Sequence, residues 1–72
     1  MRVVFYSLEG CSYCERVRRA LESEGAPFHE VNLTREPQAI TELLKLTKGR
    51  RVVPVLVQSG QIRIAPEGGT SF

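Results

Sequence analysis

Aspartate is absent from this 72-residue chain, histidine occurs once and cysteine twice. All eight acidic residues are glutamates. A zinc site takes about four ligands, and two cysteines with His29 fall short of that, so no metal is expected. His29 lies in a run that reads as a strand, where a half-exposed surface role is expected. A secreted disulfide scaffold would spread more cysteines along the chain. Long apolar runs are missing as well: the longest, around Val52 to Val57, is broken by Pro54 and falls far short of the roughly 18 residues of a membrane span. The segment from Met1 to Tyr6 has one basic residue before a few apolar ones, too little for a signal peptide. The expected address is cytoplasmic. Nor does charge of one sign dominate, with 10 Lys+Arg against 8 acids. Nucleic-acid binding would need a longer basic stripe with stacking aromatics between the charges. The two short clusters, Arg16/Arg18/Arg19 and Lys48/Arg50/Arg51, read instead as solvated helix and loop faces.

The 42% hydrophobic and 25% charged residues suit a folded domain. Residues 1–72 are expected to form one such domain, with a thin core, because short chains bury a smaller fraction of their surface. Arg2-Val3-Val4-Phe5-Tyr6 is a β-branched and aromatic run, the pattern of a strand covered on both faces. From Ser12 to Glu24 the spacing turns helical: Cys14, Val17 and Leu21 share a face with Ala20 beside them. Glu15, Arg16, Arg18, Arg19 and Glu22 face water in that reading. Gly25 suits the C′ position, and Pro27 prevents continuation. Phe28 to Leu33 alternates and reads as a second strand. Thr34 is the expected N-cap of a second helix with Pro37 in its first turn, an apolar stripe of Ile40, Leu43, Leu44 and Thr47, and Gly49 as its stop. Val52–Val57 and Ile62–Ala65 read as strands joined by a Ser59-Gly60 hairpin turn. The expected order is β-α-β-α-β-β, its first two strands parallel and its last two antiparallel.

Both cysteines sit in Cys11-Ser12-Tyr13-Cys14, where the first strand hands over to the first helix. Two intervening residues close almost no loop, so a disulfide there adds little stability. Reactivity explains the pair better. The thiolate is the nucleophile in disulfide exchange, and the N-terminus of a helix favours negative charge. Cys11 is therefore expected to be the attacking thiol. Cys14, one turn inward, is expected to be more shielded, less acidic and able to attack a mixed disulfide on Cys11.

From this point the chain resembles the glutaredoxins, within the thioredoxin superfamily, and the small glutaredoxin-like redoxins that donate electrons to ribonucleotide reductase. The resemblance covers residues 2 to about 64. It rests on Phe5-Tyr6-Ser7, the Cys-x-Tyr-Cys motif and Gly49-Arg50-Arg51-Val52-Val53-Pro54. It implies an α/β fold of thioredoxin type with a four-stranded mixed sheet, and a dithiol oxidoreductase that reduces protein or glutathione mixed disulfides. By position it makes Cys11 the nucleophile, Cys14 the resolving thiol and Tyr13 the aromatic flanking glutathione. Pro54 becomes the cis-proline facing the disulfide, and Val53 offers its backbone to the substrate.

Four departures carry information. Leu8 stands where the family usually has a basic residue contacting a glutathione carboxylate, a role Arg50 or Arg51 could partly take over. Ser12 stands where the commonest glutaredoxins have proline, and it is shared with glutaredoxins that hold an iron–sulfur cluster between two subunits. An alternative reading is therefore a dimeric cluster-binding module, and the oligomeric expectation is a monomer or weak dimer. The family's glycine pair is displaced, to Gly68-Gly69 from the expected neighbourhood of Ile64 and Ala65. That displacement and Leu8 favour a flavoprotein reductase of the thioredoxin-reductase type as electron source, whereas Tyr13 favours glutathione. Finally, the resemblance implies a further helix beyond the glycines, for which only Thr70-Ser71-Phe72 remain. The expectations are that residues 66–72 fold back, with Phe72 as a plug, that a second subunit covers the gap, or that this is a shortened version.

Overall fold

The computed structural model describes residues 3–72; the expected start of the first strand at Arg2 lies outside them. The elements run β1 (Val3–Ser7), α1 (Ser12–Ser23), β2 (Phe28–Asn32), α2 (Ala39–Thr47), β3 (Val52–Val53), β4 (Val55–Gln58), β5 (Gln61–Ile64) and β6 (Thr70–Ser71). The order β2-β1-β4-β5 forms a mixed four-stranded sheet, and β3 pairs with β6 in a second, two-stranded one. β1 pairs parallel with β2 and antiparallel with β4. Its buried Val3, Phe5, Tyr6 and Ser7 explain why that strand is continuously apolar or small. The core gathers Phe5, Leu33, Leu43, Val53 and Val55, with Phe28 edge-on to Phe5 at 6.2 Å between ring centroids.

Helix α1 ends as its glycine suggests. Ala26 N–H donates to Leu21 C=O and Gly25 N–H to Glu22 C=O, which closes the last carbonyls in a Schellman pattern. The β4–β5 hairpin turns on Ser59 and Gly60, both at positive φ, as a two-residue turn between right-twisted strands requires.

Several expectations are corrected. Thr34 does not cap α2. Asn32 Oδ1 accepts from Thr34 N–H at 2.9 Å, and the Thr34 hydroxyl accepts from Glu9 N–H at 3.1 Å. The local side-chain turn outcompetes helix entry, and α2 begins only at Ala39, after a Gln38 without a side-chain cap bond. The expected third strand splits at Pro54, which has no N–H for a ladder. The last hairpin strand ends at Ile64, because Ala65 takes a positive φ. Ala20 is exposed rather than beside the core.

Arg18, expected to face water, is partly buried against Glu30. Arg18 Nε and Nη2 donate to the two carboxylate oxygens at 2.8 and 2.7 Å, and the buried Ser7 hydroxyl donates to Glu30 Oε2 at 2.7 Å. Arg18 above all, with help from Ser7, holds the Glu30 carboxyl below its ordinary 4.5 despite the opposing effect of burial. A depressed carboxyl stabilises the fold above its unfolded value, and that contribution is lost as pH falls through the folded one. Glu30→Gln is expected to cost about 1–2 kcal/mol at neutral pH, allowing for partial solvent screening. Urea titrations at pH 7 and in acid check this: the gap to the parent should shrink in acid, and equal midpoints at pH 7 would contradict it.

Among the described residues no helix follows β5. Residues 66–72 fold back, with β6 lying antiparallel to β3. A cavity of about 300 Å³ between α1 and the sheet is lined by Val3, Val17, Leu21 and Leu56, with Pro66 and Glu67 from this segment. Phe72 does not plug it; the ring packs at the β3 edge beside Arg51.

Candidate active site

Cys11 is the N-cap of α1, with extended backbone angles (φ −88°, ψ 111°). Its sulfur accepts a hydrogen bond from Cys14 N–H at 3.1 Å, taking the place of the usual cap oxygen. The motif's spacing thus has a local cause. A residue three positions after an N-cap presents its amide to the cap side chain, so Cys-x-x-Cys at a helix start binds the first sulfur to the second cysteine's backbone. The helix N-terminus favours negative charge at that sulfur.

Cys14 lies one turn in, on the buried face with Val17. Burial first, then hydrogen bonding with Cys11, pushes its thiol up from 9.0 to about 12. It is therefore protonated at neutral pH. Both cysteines are free. They are also about equally enclosed, at 2% and 1% exposure, so Cys14 is not appreciably more shielded than Cys11, contrary to the expectation.

The remaining predicted residues fall into two groups. Tyr13 is half-buried; Arg16 lies 5.7 Å over its ring, and Gly68 lies close against the ring itself. Val53 and Pro54 are buried and joined by a cis peptide bond, and Gly69 sits against the Val53 carbonyl. Tyr13, Gly68, Gly69 and Val53 are thereby brought together. Ser12 and Arg50 are exposed, and the Arg50 carbonyl accepts the Thr47 hydroxyl at 2.7 Å. Arg51 is already engaged: its Nε donates to the Phe72 carbonyl at 2.8 Å, and its guanidinium lies 4.8 Å over the Phe72 ring.

The sequence reading missed Gly68, Gly69 and β6 as neighbours of the motif. Counting residues from Pro54 put the glycine pair out of position. In space, the positive φ of Ala65 and a Gly68 N–H bond to the Ala65 carbonyl (3.0 Å) turn the chain back and bring the pair against Tyr13 and Val53. The available signal was weak: a glycine pair followed by the β-branched Thr70.

Among the described residues, no group of three or more His, Cys, Asp or Glu could hold a metal ion. Likewise, no helix among them is long and apolar enough to cross a membrane. The arrangement can carry out two-thiol exchange, with one sulfur at a helix N-terminus and a second, protonated one behind it.

Comparison with known proteins points the same way. The glutaredoxin family model matches residues 3–63. An N-acetyl-S-hydroxy-L-cysteine reductase of Bacillus subtilis is 36% identical over 56 residues, which are 78% of this chain and 59% of that protein. The glutaredoxin-like protein NrdH of Escherichia coli K12 is 35% identical over 57 residues, 79% of this chain and 68% of that one. The solved E. coli NrdH-redoxin, described for its thioredoxin-like activity profile, superposes with a TM-score of 0.74 at 31% identity, covering 89% of this chain and 82% of that chain. A glutaredoxin from Archaeoglobus fulgidus shares the fold, with a TM-score of 0.78 at 23% identity over 96% of this chain and 75% of that one.

Proposed function

The chain belongs to the glutaredoxin family, and from that premise we propose that it is a thiol-disulfide oxidoreductase working through Cys11 and Cys14. The Cys11 thiolate attacks one sulfur of a substrate disulfide; that S–S bond breaks, a mixed disulfide forms, and the leaving sulfur takes a proton. Cys14 then gives up its proton and attacks the Cys11 sulfur. The second substrate thiol leaves, and a Cys11–Cys14 disulfide remains. The substrate has gained two electrons, which a separate reductant must return to the protein. The observation that carries this reading is the Cys11 sulfur at the head of α1, bonded to the Cys14 amide, with a protonated Cys14 behind it.

The substrates in this proposal are protein disulfides, a ribonucleotide reductase among the candidates, since NrdH-type relatives resemble the chain at this level. The electron source favoured is a flavoprotein reductase of the thioredoxin-reductase type. Leu8 supports it, having no charge for a glutathione carboxylate, as does the thioredoxin-like activity profile of the related E. coli protein. A second reading keeps glutathione as co-substrate: Tyr13 stands in the motif, and the glycine pair returns to its side. A coupled assay with an insulin substrate separates them. NADPH consumption with thioredoxin reductase should exceed that with glutathione and glutathione reductase; the reverse order would select the glutathione reading.

A further inference from the structure

β3 is two residues long, and its edge is occupied by the chain itself. Val52 pairs with Ser71 and Val53 with Thr70. Phe72 N–H donates to the Arg51 carbonyl at 3.1 Å, which makes Arg51 and Phe72 a hydrogen-bonded pair. Such pairs recur at every second position of an antiparallel ladder. Val53 and Thr70 are therefore the next one, and the backbone N–H and C=O of Val53 face Thr70.

The approach to this edge is close. A Cβ on Gly69 would collide with the Val53 carbonyl and come within 2.9 Å of Ala65 Cβ; one on Gly68 would come within 2.9 Å of the Tyr13 ring. Only glycines fit. Beyond the strand, Arg51 holds Phe72 through its carbonyl and its ring. Five consecutive residues thus cover an aromatic of the Cys motif and the backbone that precedes Pro54, in a molecule whose Cys11 is 2% exposed.

We propose that the Gly68–Phe72 segment is an internal occupant of the β3 edge, an autoinhibitory strand that any substrate adding a strand there must displace. The proposal rests on the dithiol reading above. An extended substrate binds such an edge by adding a strand, so pairing with Val53 requires Thr70 to leave. A tripeptide thiol supplies about one residue of backbone pairing, no more than is lost, and competes with a tethered strand whose effective concentration is on the order of millimolar. A strand of a folded protein supplies pairs on both sides of Val53 as well as side-chain contacts. The exchange is then favourable.

The test uses S-methylglutathione, which has no thiol to react, and two variants that evict the strand by different physics. Thr70→Pro removes the N–H facing Val53, and Gly69→Ala introduces the backbone clash. Calorimetry should show either folded variant binding S-methylglutathione at least about ten-fold more tightly than the parent, about 1.4 kcal/mol. With substrates below saturation, reduction of a glutathionylated peptide and of insulin should both rise in parallel. Folded variants that bind no more tightly than the parent would overturn the proposal. On the parent itself, amide exchange should show Thr70 losing protection when S-methylglutathione is saturating; Thr70 remaining protected in the complex would overturn it equally. Binding and exchange need no turnover. A chain that passed them yet reduced no disulfide would sink only the oxidoreductase reading.

Discussion

Cys11→Ser is expected to abolish turnover with every disulfide substrate, a loss of at least about 10³-fold, as when other covalent catalysts lose their nucleophile. The variant is informative because its structural cost is small. Cys11 caps α1 by accepting the Cys14 amide through its side chain, and serine is among the preferred residues for that role. Helix content and thermal midpoint should therefore stay close to the parent's. A loss of activity can then be assigned to the missing sulfur. Full activity in a folded Cys11→Ser protein would remove the mechanism.

The second large effect concerns Cys14. In Cys14→Ser the first exchange should proceed and the second should fail, so that substrate accumulates as a mixed disulfide on Cys11, visible as a stoichiometric adduct in the intact mass. The parent should resolve that adduct at a rate set by the Cys14 thiolate. Burial and the Cys11 contact raise this thiol to about 12. Below that value the thiolate fraction grows about ten-fold per pH unit, so single-turnover resolution should accelerate steadily from about pH 6 to 9. The sign follows from the neutral thiol being the form that burial favours. A flat profile, or a Cys14→Ser protein that forms no adduct, would contradict the assignment.

The fold was legible in the sequence wherever a pattern had one cause. The Val3–Ser7 run, the apolar face of Cys14 and Val17, and the Ser59-Gly60 turn each follow from local periodicity or backbone preference, and the parallel and antiparallel pairings follow from how those pieces connect. It was less legible where local signals competed. Thr34 carries a cap-like side chain, but Asn32 and Glu9 claim the groups that would have started a helix. Arg18 and Glu30 look like two surface charges until β2 is laid beside β1, which brings Glu30 to Ser7.

For the candidate site, the motif's chemistry could be read because a sulfur three residues ahead of an amide at a helix start is a local geometry. The positions of Tyr13, Val53 and Pro54 came from the family resemblance. The approach of Gly68-Gly69 to them depends on a turn at Ala65, a non-glycine residue at positive φ that no residue-type preference announces. Counting along the chain therefore displaced a glycine pair that folding returns to the motif.

The central claim is that Cys11 and Cys14 form one redox couple. Its most direct measurement is a count of alkylatable thiols per chain after a single turnover with one equivalent of a protein disulfide. The account predicts that both thiols disappear together and that peptide mapping finds Cys11 joined to Cys14. A chain whose two cysteines still alkylate after the substrate has been reduced would contradict it.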